Sequence, residues 1–439
     1  AATRQGASGH HDARLRSQDR PAREPVMSNR LTVWWDGRVA GTLYLDPFGE
    51  TQFAYDPAWL AAHRAPALSF SLPKQAEPFQ RRDCQPFFGG ILPEESQRTA
   101  IARALGVSAD NEFRLLEHLG GEVAGALTLL PEGEAPTPPS AAAPKLLDDD
   151  RLIQLLDHLP LRPMLAGEDG LRLSLAGAQS KLPVLLIDGQ VALPASGQPT
   201  SHILKLPITR FPATTENEYF CMSLARAIGL DVAPVEMRTV GGRSFLLIAR
   251  YDRAIGPSGE LVRMHQEDFA QALGVPSHRK YASEGGPNFP DCFALLRRVA
   301  TRPPRDILRL LDAAIFNLII GNADAHAKNF SLLHKDGAIV LAPLYDLLST
   351  VLYPVLSPKL AMKIGGKHVL KELEPRHWDK FAADCGLGAP FVRTRTRQLC
   401  EAVIAALDSE FAGPAWAADG FAPVIDFVRE RVGLLEGKL

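Results

Sequence analysis

Side chains suited to phosphoryl chemistry gather late in the chain: Asp324, His326, Lys328 and Asn329 on one short polar stretch, and Asp346 further on. Moving a phosphoryl group asks little covalent work of a protein. It needs hard oxygen ligands that hold Mg²⁺ against the phosphates, and an acceptor for the proton of the attacking hydroxyl. Asp324 and Asn329 are spaced as in the D-x-x-x-x-N catalytic loop of protein kinases, where the Asp is the base and the Asn binds metal. Asp346 stands in Tyr-Asp-Leu, where a typical protein kinase has Asp-Phe-Gly, and would add the metal carboxylate. His326 is expected to orient its neighbours rather than ligate, because Mg²⁺ prefers oxygen.

The elements that must position these residues follow from spacing. Ile307, Leu308, Leu311, Ile315, Leu318 and Ile319 recur at helical intervals and Gly321 stands where a C-terminal cap belongs, so a buried helix delivers the chain to the site. Phe330 to Leu333 reads as a strand out, Asp336-Gly337 as a hairpin turn and Ile339 to Leu344 as the strand back. That hairpin returns Asp346 to the neighbourhood of Asn329.

Earlier in the chain, Ser174-Leu-Ala-Gly-Ala-Gln-Ser-Lys181 lies between strand-like runs and offers small residues whose backbone amides can approach an anion. It is not a Walker loop, since the G-x-x-x-x-G-K-[ST] spacing is missing. Lys205, flanked by apolar residues in His202-Ile-Leu-Lys-Leu-Pro207, is the candidate phosphate-contacting lysine. Thr215-Glu-Asn-Glu218 reads as a capping box opening a helix that Gly229 closes, which makes Glu218 the cap and leaves Glu216 as the other choice for pairing with Lys205. Ser244 to Tyr251 reads as a strand.

At 439 residues and 46% hydrophobic content the chain is long enough for two or three domains with real cores. A net charge of −2 gives no electrostatic case for a chain that holds nucleic acid by itself. Its five scattered cysteines include no C-x-x-C pair, so neither a disulfide framework nor a zinc knuckle is expected, and a reducing cytoplasm fits. No apolar run of membrane-spanning length occurs, so no membrane partner is expected. Residues 1–27 read as a disordered tail, with Met27 as an alternative start. Residues 28–130 open with a hairpin turning at Asp36-Gly37 and read as a small α+β unit, in which Phe87, Phe88, Ile91 and Leu92 are core. Residues 131–147, rich in Pro and Ala, are the linker. Residues 148–255 form a small lobe bearing the phosphate loop, and 256–439 a mostly helical lobe with the catalytic loop. Within it, Ser277 to Pro290 is rich in Gly and Pro and is read as mobile.

Asn322-Ala-Asp-Ala-His-Ala-Lys-Asn-Phe-Ser331, the Leu171 to Lys181 run and His202 to Pro207 together resemble the HipA family of bacterial toxin serine/threonine kinases. Ser69-Phe-Ser-Leu-Pro73, Gly90-Ile-Leu-Pro-Glu94 and Leu119 to Leu127 extend the likeness toward the N-terminus. The resemblance implies an α+β, bilobal protein-kinase-like fold preceded by a small N-terminal HipA subdomain, with ATP and Mg²⁺ as cofactors. It implies that the loop bearing Ala176, Gly177, Ala178, Gln179 and Lys181 lies over the ATP phosphates, that Ser174 is autophosphorylated, and that Arg250 and Tyr251 border the adenine. Its implied partners are a HipB-like helix-turn-helix antitoxin, operator DNA reached through that antitoxin, and an aminoacyl-tRNA synthetase substrate, glutamyl-tRNA synthetase foremost. Two alternatives stand beside it: a metal-dependent hydrolase using Asp324, His326 and Asp346, and an idle family member that acts only as a corepressor.

Overall fold

The computed structural model describes residues 28–137, 143–168, 170–418 and 420–439; the expected tail at 1–27 lies outside the described residues, as does part of the linker. The hairpin read at the start of the chain forms as expected. Arg30–Trp35 pairs antiparallel with Arg38–Leu45, and Asp36 and Gly37 both take positive φ, 50° and 72°, the backbone that a tight two-residue turn requires. Thr51–Tyr55 and Leu127–Pro131 complete a four-stranded antiparallel sheet. Against it lie Arg81–Gly90 and Glu112–Leu119, while Glu95–Leu105 packs on the short turn of helix Pro163–Leu165. Phe87, Phe88, Ile91 and Leu92 are core residues here, each at most 4% exposed.

A second sheet of six antiparallel strands runs in the order Lys145–Leu146, Gln190–Leu193, Lys181–Ile187, His202–Lys205, Arg243–Ala249, Val235–Val240. Its edge strand Lys145–Leu146 comes from the end of the stretch read as linker. The helix Thr214–Ala227 packs on this sheet. One hydrophobic cluster joins the sheet's Leu182, Leu204 and Leu247 to Leu31, Phe53 and Phe88 of the N-terminal unit, so the two share a core.

Below stand five helices of ten or more residues: Phe289–Val299, Pro303–Ile320, Pro375–Asp384, Ala389–Ser409 and Ala422–Glu436. Pro303–Ile320 is the buried helix that the periodicity predicts. It is apolar nearly all round in its second half, and Gly321 closes it with φ 72°. Arg431 donates to the carbonyl oxygens of Leu318 and Ile319 in the last turn of the helix. A small β-rich lobe thus meets a larger helical one, the bilobal arrangement of protein kinases. The five cysteines are buried and unpaired, and no described helix is long and apolar enough to cross a membrane.

Candidate active site

The hairpin Ser331–Lys335 to Ala338–Leu341 turns at Asp336-Gly337 (φ 51° and 73°) and carries the chain back to the catalytic loop. There Asn329 Nδ2 donates to Asp346 Oδ2 at 2.9 Å, so the two expected metal ligands meet. Asp346 holds a left-handed backbone (φ 58°) that a non-glycine residue adopts only when its surroundings impose it. Two neighbours do so: Asn322 Nδ2 donates to the Asp346 carbonyl at 3.3 Å, and the hydroxyl of Tyr345 donates to the Lys328 carbonyl at 2.7 Å. Asn322 also accepts from the Asp324 backbone N–H at 3.2 Å, tying both ends of the hairpin together.

Behind them the sheet supplies cations. Lys205 Nζ lies 2.7 Å from Glu218 Oε1 and 2.6 Å from Asp346 Oδ1. The expectation that Glu218 caps the helix and leaves Glu216 for Lys205 is therefore overturned: Glu218 makes the pair and neither glutamate caps the helix. The helix begins at Thr214 after Ala213 with φ 51°, without a side-chain cap, so Thr215 lies inside it, and the Thr214 hydroxyl accepts from Ile208 N at 2.8 Å. Asn217, Glu218 and Cys221 set the buried face; Glu216, two residues away, points roughly 200° round the helix. Lys181 is the cross-strand partner of Lys205 in the pairing of Lys181–Ile187 with His202–Lys205. Like charges placed directly opposite repel. Burial and the Lys205 charge push the Lys181 ammonium down to about 8, whereas Lys205, also opposed by burial, is held charged by Asp346 and Glu218.

Ala176, Gly177, Ala178, Gln179 and Lys181 line the same cavity as Asp324 and Asp346, a cleft of about 1210 Å³. Gly177 has φ 107°, a backbone that residues with a Cβ rarely adopt, and the Lys181 ammonium lies close against it. Ser174 is wholly buried and donates to the Ile91 carbonyl at 2.9 Å. Tyr251 stacks on Tyr345 at 5.6 Å on the cavity wall beside Ile203 and Ile248. Arg250 also borders the cavity, but its guanidinium is committed to Asp252 at 2.7 Å and Glu122 at 3.1 Å.

Asp324 differs from Asp346 in its electrostatics. Burial pushes its carboxyl up to about 6, against the Tyr281 hydrogen bond and Lys280, which pull it down. Burial also acts on Asp346, but Lys205 and Lys181 overcome it and hold that carboxyl well below the usual range. One carboxylate is thus poised to take a proton near neutrality and the other stays charged, the division that acid–base work beside a cation requires. Burial holds His326 neutral, with its pKa down to about 3, and leaves its Nδ1 without a partner. Asp346 and the Asn329 carboxamide oxygen are hard donors of the kind Mg²⁺ takes and would hold it once the amide, whose Nδ2 now faces Asp346 while its oxygen accepts from His326 N at 3.1 Å, turns its oxygen to the ion.

Sequence reasoning missed Lys280 and Tyr281, which fall in the segment read as mobile. Tyr281 donates to Asp324 Oδ1 at 2.8 Å, and Lys280 pairs with Glu94 at 2.9 Å. Lys328 reaches Asp268 at 3.0 Å rather than the site's carboxylates. No periodicity marks these positions, because their partners are distant in sequence.

Residues 173–410 match the HipA-like C-terminal domain and residues 31–130 the HipA N-terminal domain. The putative kinase Y4mE of Sinorhizobium fredii is 60% identical over 380 residues, which cover 86% of this chain and 90% of that one. The serine/threonine-protein kinase toxin HipA of Shewanella oneidensis is 31% identical over 290 residues, 63% of this chain and 66% of its own length. In fold, the chain is similar to one in the solved Shewanella oneidensis toxin–antitoxin complex of HipA, HipB and operator DNA, with a TM-score of 0.80 at 24% identity, covering 93% of this chain and 99% of that one. With both domain models matched and the expected fold in place, the chain belongs to the HipA family and is a kinase.

Proposed function

We propose that this kinase transfers the terminal phosphoryl group of ATP, with Mg²⁺, to a serine hydroxyl, and that it is the toxin of a toxin–antitoxin pair working in the cytoplasm. The observation that carries the reading is the meeting of Asn329 and Asp346 at 2.9 Å, with Lys205 on the far side of Asp346 and Asp324 in the same cleft. Asp324 accepts the proton of the acceptor hydroxyl. Asp346 and Asn329 would hold Mg²⁺, which would neutralise charge on the phosphates. Lys205, oriented by Glu218, and Lys181 face the phosphates beneath the Ala176 to Gln179 turn. His326 keeps the catalytic loop in register, and Tyr251 and the Arg250 backbone border the base.

Ser174 is the residue that the family likeness marks for autophosphorylation. Buried against Ile91, it must leave its place to be modified, and the dianion it then carries could not return to a site that also holds triphosphate. Family likeness supports an aminoacyl-tRNA synthetase as substrate, glutamyl-tRNA synthetase first, with arrest of translation as the consequence. The HipB and operator DNA in the Shewanella complex support a helix-turn-helix antitoxin that carries this chain to DNA. A metal-dependent hydrolase would want three or more His, Cys, Asp or Glu side chains around one ion, and the described residues hold no such group.

Asp324→Ala tests the reading. Label transfer from γ-labelled ATP to the chain itself, and growth arrest on expression, should both be lost, while antitoxin capture persists. Wild-type toxicity in that variant would overturn the kinase mechanism.

A further inference from the structure

A carboxylate that serves as a proton acceptor must keep one oxygen free and hold its side chain still. Asp324 meets both needs through one contact. The Tyr281 hydroxyl donates to Oδ1 at 2.8 Å, while Oδ2 has no hydrogen-bond partner among the described residues and is not sealed from the cavity. Tyr281 is itself fixed on two sides. Its ring lies edge-on to His326 at 5.4 Å, and the Lys280 ammonium stands 5.4 Å from its centroid. Lys280 in turn reaches into the N-terminal unit, to Glu94 at 2.9 Å and Glu95 at 3.3 Å.

Glu94 is placed to do more than pair with one lysine. Its backbone N–H donates to the Gly177 carbonyl in the phosphate loop at 3.1 Å, and its other carboxylate oxygen lies 3.4 Å from Lys328 in the catalytic loop. One residue of the N-terminal unit therefore touches the phosphate loop, the Lys280–Tyr281 segment and the catalytic loop together. Its side chain is buried, whereas that of Glu95 is 60% exposed and its ion pair is weak in water.

We infer that Lys280 and Tyr281 form a positioning arm for the catalytic base, and that the N-terminal unit, through Glu94, holds this arm in place and is thereby a working part of the active site. The inference rests on the reading of Asp324 as the base. Tyr281 and Glu94 are positioning residues, acting through Asp324 and Lys280. The charged groups that reach Asp324 are Lys280, Asp346 and Glu95, with His326 neutral beside it. Displacement of the phosphate loop removes the Gly177 anchor of Glu94, so the state of the loop is felt at the base.

The test is Tyr281→Phe in the full chain, with ADP release followed from pH 5 to pH 8. The hydrogen bond favours the ionised carboxyl, so its loss moves the acid limb of the rate, which burial places near pH 6, to higher pH. Turnover should fall about tenfold at pH 6 and only about threefold at pH 8, with KM for ATP unchanged. Glu94→Gln should move the limb the same way, and Glu95→Gln should not. A readout independent of turnover is the carboxyl carbon resonance of Asp324, assigned by its disappearance in Asp324→Asn, which should titrate at higher pH in Tyr281→Phe. A limb and a resonance that both stay at their wild-type pH overturn the inference. So does faster turnover in Tyr281→Phe, which would make the hydroxyl a plug in the acceptor subsite. Activity retained by Asp324→Ala would instead remove the base reading itself, so the two failures are distinguishable.

Discussion

Replacing the base by its amide, Asp324→Asn, should make the protein more stable while it abolishes turnover. Burial raises the Asp324 carboxyl from 3.8 to about 6. At about 1.4 kcal/mol for each tenfold change in proton affinity, a rise of that size withholds about 3 kcal/mol from the folded state wherever the group is ionised in both states. Asparagine keeps the shape, and its Oδ1 still accepts from Tyr281. A gain of about 2 to 3 kcal/mol is therefore expected at pH 8. The sign with pH follows from the raised value. A folded state that takes up the proton first is destabilised fully above about pH 6, progressively less between pH 6 and 4, and not at all below the unfolded carboxyl's ordinary range. Thermal unfolding by scanning calorimetry should show the variant's midpoint above the wild-type one at pH 8, with the gap reduced to about a third by pH 4.5. Equal midpoints at pH 8, or a gap that widens on acidification, would refute the account of Asp324 as a costly buried carboxylate kept for its chemistry.

Lys205→Met strands Glu218, which is 1% exposed, without its cation and should cost about 3 to 5 kcal/mol; adding Glu218→Gln should recover most of that in calorimetry without restoring ATP binding, and wild-type ATP affinity in the single variant would refute the assignment of Lys205. Ser174→Glu sets a carboxylate against the Ile91 carbonyl in a fully buried place and should expel the phosphate loop, weakening ATP binding by about tenfold or more; titration calorimetry showing equal affinity would end the loop-expulsion idea.

What the sequence disclosed is what depends on local chemistry. The Asp336-Gly337 turn, the Gly321 cap and the apolar period of Pro303–Ile320 each record a backbone need at the position where it arises, and together they placed Asp346 beside Asn329. Lys205 was legible from its apolar flanks, but its partner was not. Thr215-Glu-Asn-Glu218 satisfies a capping pattern, and only the direction in which the helix packs shows that Glu218 faces the sheet. The Lys181 and Lys205 pairing depends on strand register, which no local pattern fixes here. Tyr281 and Lys280 lie in a run where Gly and Pro suggest looseness. Their order comes from Asp324 and Glu94, contacts that form only once three separate parts of the chain have met.

The same long-range contacts decide which part of the molecule can move. Glu122 of the N-terminal unit accepts from Arg253 at 2.7 Å and Arg263 at 2.6 Å, pairs with Arg250 at 3.1 Å, and also accepts from Thr200. Burial alone would raise its carboxyl, yet the three guanidinium groups hold it well below the usual range. Beyond that junction, Ser69 and the Phe70 N–H bind Glu267, and the His265 ring bonds the Leu68 carbonyl. The N-terminal unit therefore straddles the junction between the lobes and is fastened by buried ionic and polar contacts on both sides. Breaking the Glu122 pairs would strand buried charges, at several kcal/mol for each pair, whereas the Glu267 and His265 contacts are hydrogen bonds of a carboxyl that burial raises to about 8 and a ring that burial keeps neutral. The phosphate loop is held by hydrogen bonds without ion pairs, Ser174 to Ile91 and to the Glu122 carbonyl, Glu94 to Gly177, Gln97 and Leu206 to Ser180, and Gln179 to Leu206, each worth about 1 kcal/mol. Displacing the loop that carries Ser174 therefore breaks neutral hydrogen bonds, whereas parting the N-terminal unit from Arg250, Arg253 and Arg263 breaks buried ion pairs.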